Sequence, residues 1–176
     1  MNHRYLQKFQ IKDVVFLAIM SAVALVTCAV MPLVISLQPL IFGISQLVTA
    51  LQIGVFFAIG LYKVRKPGSL LIMALMMGLI QLMMSPPMFL SSVLNGVLIE
   101  LIVLLLFRGY EKDAAVFVAA MLHTPLSLPF NYLYNRLVKG TDSPLAAVAD
   151  RAPLAAVGMT LAVVAVSALG ALIGIK

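Results

Sequence analysis

The stretch "MFLSSVLNGVLIELIVLLLF", residues 88 to 107, decides the class of this protein. It carries one charged side chain, Glu100, and is bounded by Pro87 and Arg108. A helix needs about 20 apolar residues to cross a hydrocarbon core of about 30 Å, so this stretch predicts a transmembrane helix. The composition agrees, because 63% of the 176 residues are hydrophobic, 10% are charged and the mean hydropathy is +1.12. We therefore expect an integral membrane protein.

Five further apolar segments flank this stretch and are bounded in the same way by charges, prolines and glycines. They are continuous apolar runs without the alternation of period two that a β-barrel strand requires. The chain is thus predicted to be one all-α transmembrane domain, residues 1–176, with six helices. The predicted spans lie at about residues 11–31, 39–62, 68–84, 88–107, 114–138 and 152–175.

The basic residues predict the orientation of these helices. Short loops rich in Lys and Arg stay on the cytoplasmic side of the membrane. Most of the basic residues flank alternate ends of the spans, so we expect both termini to be cytoplasmic and the protein to pass the cell membrane several times. The net charge of +6 then reflects topology and predicts no nucleic-acid partner. The residues are Arg4, Lys8, Lys12, Lys63, Arg65, Lys66, Arg108, Lys112 and Lys176.

The sequence carries no enzyme signature. It lacks a Gly-rich phosphate loop, a His and Glu pair at metal-ligand spacing on one helix, and a serine nucleophile elbow. Cys28 is the single cysteine, which excludes an internal disulfide and a cysteine metal cluster. We expect neither an enzyme nor a metal site or cofactor in this chain. Any uphill transport would then draw its energy from an ion gradient or from another subunit.

A polar face runs along the outer half of the fifth span, since its polar residues recur at spacings of three and four. Pro125 and Pro129 lie in the same segment, and each removes the donor to a carbonyl one turn earlier. Exposed acceptors beside amide side chains resemble a ligand site. The alternative, a proline kink with Asn131 bonded to a neighbouring helix, stays open. Thr124 begins this polar face, and we call its further residues, Ser127, Asn131, Tyr134 and Asn135, the outer seam.

A ligand pocket is predicted where the outer seam faces the fourth span. Ser91 and Asn95 share one face of that span, and Gln81 in the third span is a further candidate for the cavity wall. Met84, Met88 and Phe89 would supply the apolar remainder. Arg136 and Lys139 lie nearer the aqueous rim, where we expect them to tune ligand capture more than to hold the ligand. The predicted ligand-binding residues are Asn131, Tyr134, Asn135, Asn95, Ser127, Ser91 and Gln81.

Glu100 is the one acid deep inside a span, and His123 lies at a similar depth. A rise of about 1.5 Å per residue places Glu100 about 10 Å and His123 about 15 Å from the cytoplasmic ends of their helices. We therefore predict an intramembrane polar pair of Glu100 and His123, with Gln52 as another partner for the acid. Both a structural role and a role in proton coupling remain open for this pair.

Small residues form flat stripes on two helices. Ala18 and Ala22 stand four apart in "LAIMSAVALV", residues 17 to 26, and Gly158, Ala162, Gly170 and Gly174 share one stripe in the last span. Such stripes let helix backbones approach closely. They predict a contact surface, either within the bundle or with another protein.

The "AIMSA" of residues 18 to 22, together with the short chain and the six predicted spans, resembles the S component of an energy-coupling factor (ECF) vitamin transporter. The stretch from "KPG" (66 to 68) through "NGVLIELIVLLLFRGYEK" (95 to 112) is similar to the thiamin-related branch of these prokaryotic proteins. The resemblance implies an S-component-like bundle that captures a vitamin from outside. It also implies that Ala18 and Ala22 dock on a T transmembrane subunit, beneath which two ABC-type ATPases use the ATP.

The residues narrow the ligand that this resemblance implies. The chain has no Trp to stack on thiamin, and no acid in an outer half-span to match its thiazolium cation. Cobalamin, or a neutral pyrimidine related to thiamin, is therefore favoured. Two alternatives stay open: a stand-alone ion-coupled secondary carrier that uses Glu100 and His123, and a membrane assembly protein without a transport function.

Overall fold

The computed structural model describes residues 8–28, 34, 37, 40–83, 85–138, 140 and 144–176. All the regular secondary structure in these ranges is helical. The helices are α1 (Ile11–Thr27), α2 (Ile44–Lys63), α3 (Ser69–Leu82), α4 (Pro86–Phe107), α5 (Asp113–Val138), α6 (Pro144–Arg151) and α7 (Pro153–Ile175).

The helix lengths confirm the expected all-α membrane protein. Helices α2, α4, α5 and α7 are each long and apolar enough to cross a membrane. Helix α3 is apolar but has 14 residues, and α1 has 17, so the number of spans, six, stays a prediction. Most predicted limits agree with the helices within one or two residues, although the second helix begins at Ile44 and not near residue 39.

The connection between α5 and α7 differs from the prediction, because it contains the short helix α6. Pro144 occupies its first position, where a proline fits because the first backbone N–H groups of a helix have no partner within it. Asp150 in α6 accepts hydrogen bonds from Tyr132 and Arg136 of α5, at 2.7 Å and 2.8 Å. These contacts hold α6 against the C-terminal end of α5.

Helix α2 is the most buried of the long helices and packs against α1, α3, α5 and α7. Helix α5 packs against α2, α4, α6 and α7, while α3 also packs against α1 and α4. The largest buried side chains at the centre include Phe57, Leu17 and Met73, none of which has measurable exposure. The bundle therefore presents a continuous apolar core to which every long helix contributes.

The glycines of the last span have their partner within the bundle, since α2 and α7 form the most extensive contact between helices. A Cβ atom on Gly170 would lie 2.5 Å from the Leu51 carbonyl oxygen, and one on Gly174 would meet the Val55 carbonyl oxygen. The backbones approach closely because both residues lack a side chain. Gly158 in the same predicted stripe has no atom within 4 Å of its Cβ position.

Gly170 lies against Leu51, and Gly174, one turn later, lies against Val55, also one turn later. Helix α7 therefore runs parallel to α2. The last residue of the chain therefore lies at the same end of the bundle as the loop that follows α2. Lys66 in that loop bonds to Asp13 at 2.6 Å and to the Lys8 carbonyl at 3.0 Å. Arg65 bonds to the side chain of Asp113. The basic residues that the structure describes outside α5 and α6 lie at this end of the bundle. We call it the basic end.

Two hydroxyl groups join α3 to its neighbours. Ser21 of α1 donates to the carbonyl of Met73 at 3.2 Å and to that of Leu17 at 2.8 Å. Ser92 of α4 donates to the carbonyl of Ala74 at 3.0 Å. Adjacent carbonyl groups of α3 are thus bonded from two sides, which fixes α3 between α1 and α4.

Candidate functional site

Glu100 accepts a hydrogen bond from the N-terminal end of α3. The backbone N–H of Gly68, the N-cap residue of α3, donates to Glu100 Oε1 at 2.6 Å, and the Tyr110 hydroxyl donates to Oε2 at 2.9 Å. The first N–H groups of a helix lack partners within it, and its N-terminus favours negative charge. The carboxylate therefore ties α3 to α4 and to the segment that follows α4. Burial and the nearby carboxylate raise the pKa of Tyr110, so its hydroxyl stays a donor.

His123 does not contact Glu100, so the predicted intramembrane pair is not formed. The His123 ring lies beside Phe57, with 4.3 Å between ring centroids, and neither ring nitrogen has a hydrogen-bond partner among the described residues. The other predicted partner, Gln52, also has an unpaired side-chain oxygen. Depth along a helix could be estimated from the sequence, but the direction in which Glu100 points could not.

The face of α4 that bears Glu100 is its contact with α3. Gly96 and Ser92 lie one and two turns earlier on the same face, and a Cβ atom on Gly96 would lie 2.5 Å from the Cβ of Ala74. Asn95 lies on another face and is only 1% exposed. Asn95 and Glu100 therefore lie on different faces of α4.

Four side chains at mid-height, those of buried Asn95, His123 and Thr124 and of half-buried Gln52, carry buried polar atoms without a hydrogen-bond partner among the described residues. They come from α2, α4 and α5, and α2 and α4 both pack against α5. A buried polar group left unpaired costs about 1 to 3 kcal/mol, so such a group calls for a partner. Asn95 was predicted to bind ligand, Thr124 was placed on the polar face of the fifth span, and Gln52 was predicted as a partner for Glu100. We call Gln52, Asn95, His123 and Thr124 the deep polar layer.

The outer seam lies on α5, and its side chains are half-buried. Ser127 Oγ donates to the Thr124 carbonyl at 2.6 Å, and Asn135 Nδ2 donates to the Asn131 carbonyl at 2.8 Å. Two of the predicted ligand groups are thus engaged within their own helix. Asn131 and Tyr134 are half-buried side chains beside them.

One of the two carbonyl groups freed by the prolines is bonded to a neighbouring helix. Ser167 Oγ of α7 donates to the Met121 carbonyl at 2.8 Å. This bond supports the interpretation that a proline in α5 is accommodated by helix packing at this level. The sequence offered no signal for it, because the serine lies 46 residues away in the chain.

The other residues predicted to line the pocket lie on α3 and α4 or outside the described residues. Ser91 and Gln81 are half-buried on α4 and α3, which pack together. Phe89 contacts α3, with its ring carbon 3.2 Å from the Cβ position of Gly78, and Met88 is half-buried. Met84 lies outside the described residues.

Of the two cations expected to tune ligand capture, Arg136 is engaged within the protein. Arg136 forms an ion pair with Asp150 at 2.8 Å and bonds to the Tyr132 hydroxyl at 2.6 Å. Its charge is therefore directed to α6. Lys139 lies outside the described residues.

Ala18 and Ala22 are half-buried at the edge of the contact that α1 makes with the bundle. The buried face of α1 carries Leu17, Ser21 and Ala24. A rotation of about 100° per residue turns Ala18 and Ala22 away from the centre of this face, toward exposed Val15. The fold of the bundle leaves this flat side of α1 partly uncovered.

A family of membrane proteins is identified by comparison with known sequences. The family described as hypothetical bacterial integral membrane protein (Trep_Strep) matches residues 11–176, which include every described helix. No curated protein and no solved structure gives a significant match. The chain therefore belongs to the Trep_Strep family of bacterial integral membrane proteins.

Proposed function

We propose that this protein is the substrate-binding S component of an ECF-type importer, with six spans and both termini in the cytoplasm of a bacterium. In this role it captures a vitamin or vitamin precursor from outside and docks on a T transmembrane subunit coupled to two ABC-type ATPases. The observation that carries the proposal is the partly uncovered side of α1 formed by Ala18 and Ala22.

The attachment of α1 to the bundle supports a docking role for this side. Leu17 has no measurable exposure, and Ser21 bonds across to α3. These contacts use the adjacent face of the helix, so a partner could cover Ala18 and Ala22 without displacing them. A partner backbone can approach closely where both side chains are methyl groups.

The surroundings of Glu100 favour this proposal over a stand-alone proton-coupled carrier. Each carboxylate oxygen accepts a hydrogen bond, from Gly68 and from Tyr110, and His123 lies elsewhere. A proton-coupling acid must exchange its proton during transport, whereas this carboxylate completes a helix terminus. Without its own nucleotide motif, the chain depends on partner ATPases for uphill transport.

Purification of the tagged chain from its native membranes tests the proposal. Mass spectrometry should identify ABC-type ATPases and a second membrane subunit with the wild type, and both should be lost with Ala22→Trp. Ala155→Trp is the matched control, because Ala155 lies on an exposed part of α7. Equal recovery of partners with both variants would contradict the docking assignment. Uptake by the purified chain alone, driven by a proton gradient, would identify a secondary carrier.

A further inference from the structure

We infer that the deep polar layer is a binding site for a small neutral group that both donates and accepts hydrogen bonds, such as an amide or an amino-substituted nitrogen heterocycle. The inference rests on the proposed function, to which it adds the chemical class of the ligand and the depth of its site. The layer lies on α2, α4 and α5, further into the bundle than the outer seam.

The four side chains lie at one level of the bundle. Their distances along α2, α4 and α5 from the basic end are about 15 to 18 Å at about 1.5 Å per residue. Helices α2 and α4 both contact α5, which carries His123 and Thr124. Gln52 and Asn95 therefore lie on two helices that both contact α5, at the level where α5 carries His123 and Thr124.

The unpaired atoms are confined to this layer. Within the ranges that the structure describes, all buried side-chain nitrogen and oxygen atoms without a partner belong to these four residues. Buried hydroxyl groups nearby are paired, since Ser21, Ser92 and Ser167 each donate to a backbone carbonyl. Random inefficiency of packing would scatter unpaired atoms through the bundle. Their concentration at one level indicates that they serve a common partner.

The chemistry of the layer selects a neutral partner. The Gln52 and Asn95 oxygens accept, the Thr124 hydroxyl can do both, and a neutral imidazole offers one donor and one acceptor. The only buried charged side chain in the described ranges is Glu100, whose oxygens are engaged by Gly68 and Tyr110. A charged ligand would lie in this apolar interior without a counter-charge, which is strongly unfavourable.

The apolar wall of the layer favours a planar group. Phe57 has no measurable exposure and lies 4.3 Å from the His123 ring, measured between centroids. A flat amide or ring can pack against such side chains while its edge bonds to the amides and the hydroxyl. A free aminopyrimidine and an amide side arm of a larger vitamin share this chemistry.

Thermal unfolding and equilibrium dialysis of the purified protein test the inference. The probes are cytosine, nicotinamide and cyanocobalamin as neutral amide or amino compounds, with thiamin and nicotinate as charged ones. We expect at least one neutral probe, and neither charged probe, to bind the wild type and raise its Tm. Retention of cytosine or nicotinamide would indicate a free ring or small amide, whereas retention of cyanocobalamin alone would indicate a side arm. Binding of only charged probes, or of none, would overturn the inference.

Variants then assign the binding to the layer. Thr124→Val and His123→Phe remove unpaired polar atoms with little change of shape, so the ligand-free proteins should unfold at the wild-type Tm or above it. Their affinity for the neutral probe should fall by about tenfold or more. Ser92→Ala is the matched control: it removes a paired hydroxyl, so Tm should fall while affinity is kept. Unchanged affinity in both layer variants would overturn the inference.

The two proposals can fail separately. Recovery of ATPases with the wild type, together with full probe binding by Thr124→Val, would leave the transporter assignment intact and reject the layer as the site. Binding of a neutral probe that depends on Thr124 and His123, without any recovered partner subunit, would support the layer and reject the importer.

Discussion

The basic end and the deep polar layer differ in whether their polar side chains have hydrogen-bond partners. At the basic end, Glu100, Lys66 and Arg65 each bond to a group from another part of the chain. In the deep polar layer, four polar side chains lie among packed helices with atoms that have no partner. The first arrangement is that of a structural joint, because its groups are already satisfied. The second leaves polar atoms unsatisfied, and this is the observation from which we infer a ligand site there.

Replacement of Glu100 should have the largest effect on stability. Glu100→Ala leaves the Gly68 N–H and the Tyr110 hydroxyl without an acceptor, and we expect a loss of about 3 kcal/mol or more. Thermal unfolding in detergent measures it. Glu100→Gln keeps the shape and part of the acceptor capacity and should lose less. Abolished transport by Glu100→Gln at unchanged Tm would instead assign Glu100 to proton coupling.

The contact between α2 and α7 gives the next largest effect. In Gly170→Ala the new methyl group would lie 2.5 Å from the Leu51 carbonyl oxygen, so the helices must separate at a cost of about 1 to 3 kcal/mol. Gly158→Ala is the matched control, because its Cβ position is open, and should stabilise α7 by about 0.5 to 1 kcal/mol. Equal Tm values for the two variants would show that the close approach of α2 and α7 is wrong.

Loss of the bond between Lys66 and Asp13 should have a smaller effect. Lys66→Met removes an ion pair whose side chains are 21% and 16% exposed, and also the bond to the Lys8 carbonyl. We expect Tm to fall by a few degrees, with a larger loss at low salt than at high salt. A double-mutant cycle with Asp13→Asn isolates the pair. Additive effects of the two substitutions would mean that the pair contributes nothing to the joint.

The ion pair at the outer end should matter least for stability. Arg136 and Asp150 are about half exposed, and exposed ion pairs contribute little. Arg136→Gln should shift Tm by less than about 2 °C. Its effect should appear instead as faster proteolysis of the segment that contains α6. Unchanged proteolysis would show that the packing of α6 on α5 does not depend on this pair.

The sequence predicted the helices much better than it predicted their polar partners. Apolar length between charges located the long helices, because the thickness of a bilayer sets that length. The direction of Glu100 around α4 depends on which helix lies beside it, and no local pattern contains that information. The same holds for the bond from Ser167 to the Met121 carbonyl. Helix α6 was missed because it is too short and polar to show the pattern of a span, although Pro144 marks its beginning.

Adjacent carbonyl groups of α3, those of Met73 and Ala74, give this short helix a mechanical consequence. Ser21 holds the first from α1 and Ser92 holds the second from α4. A displacement of α1 would change the bond that Ser21 makes to α3, and a displacement of α4 would change the bond that Ser92 makes one residue further along the same helix. Helix α3 is thus the element that links the position of α1 to that of α4, the helix that carries Asn95.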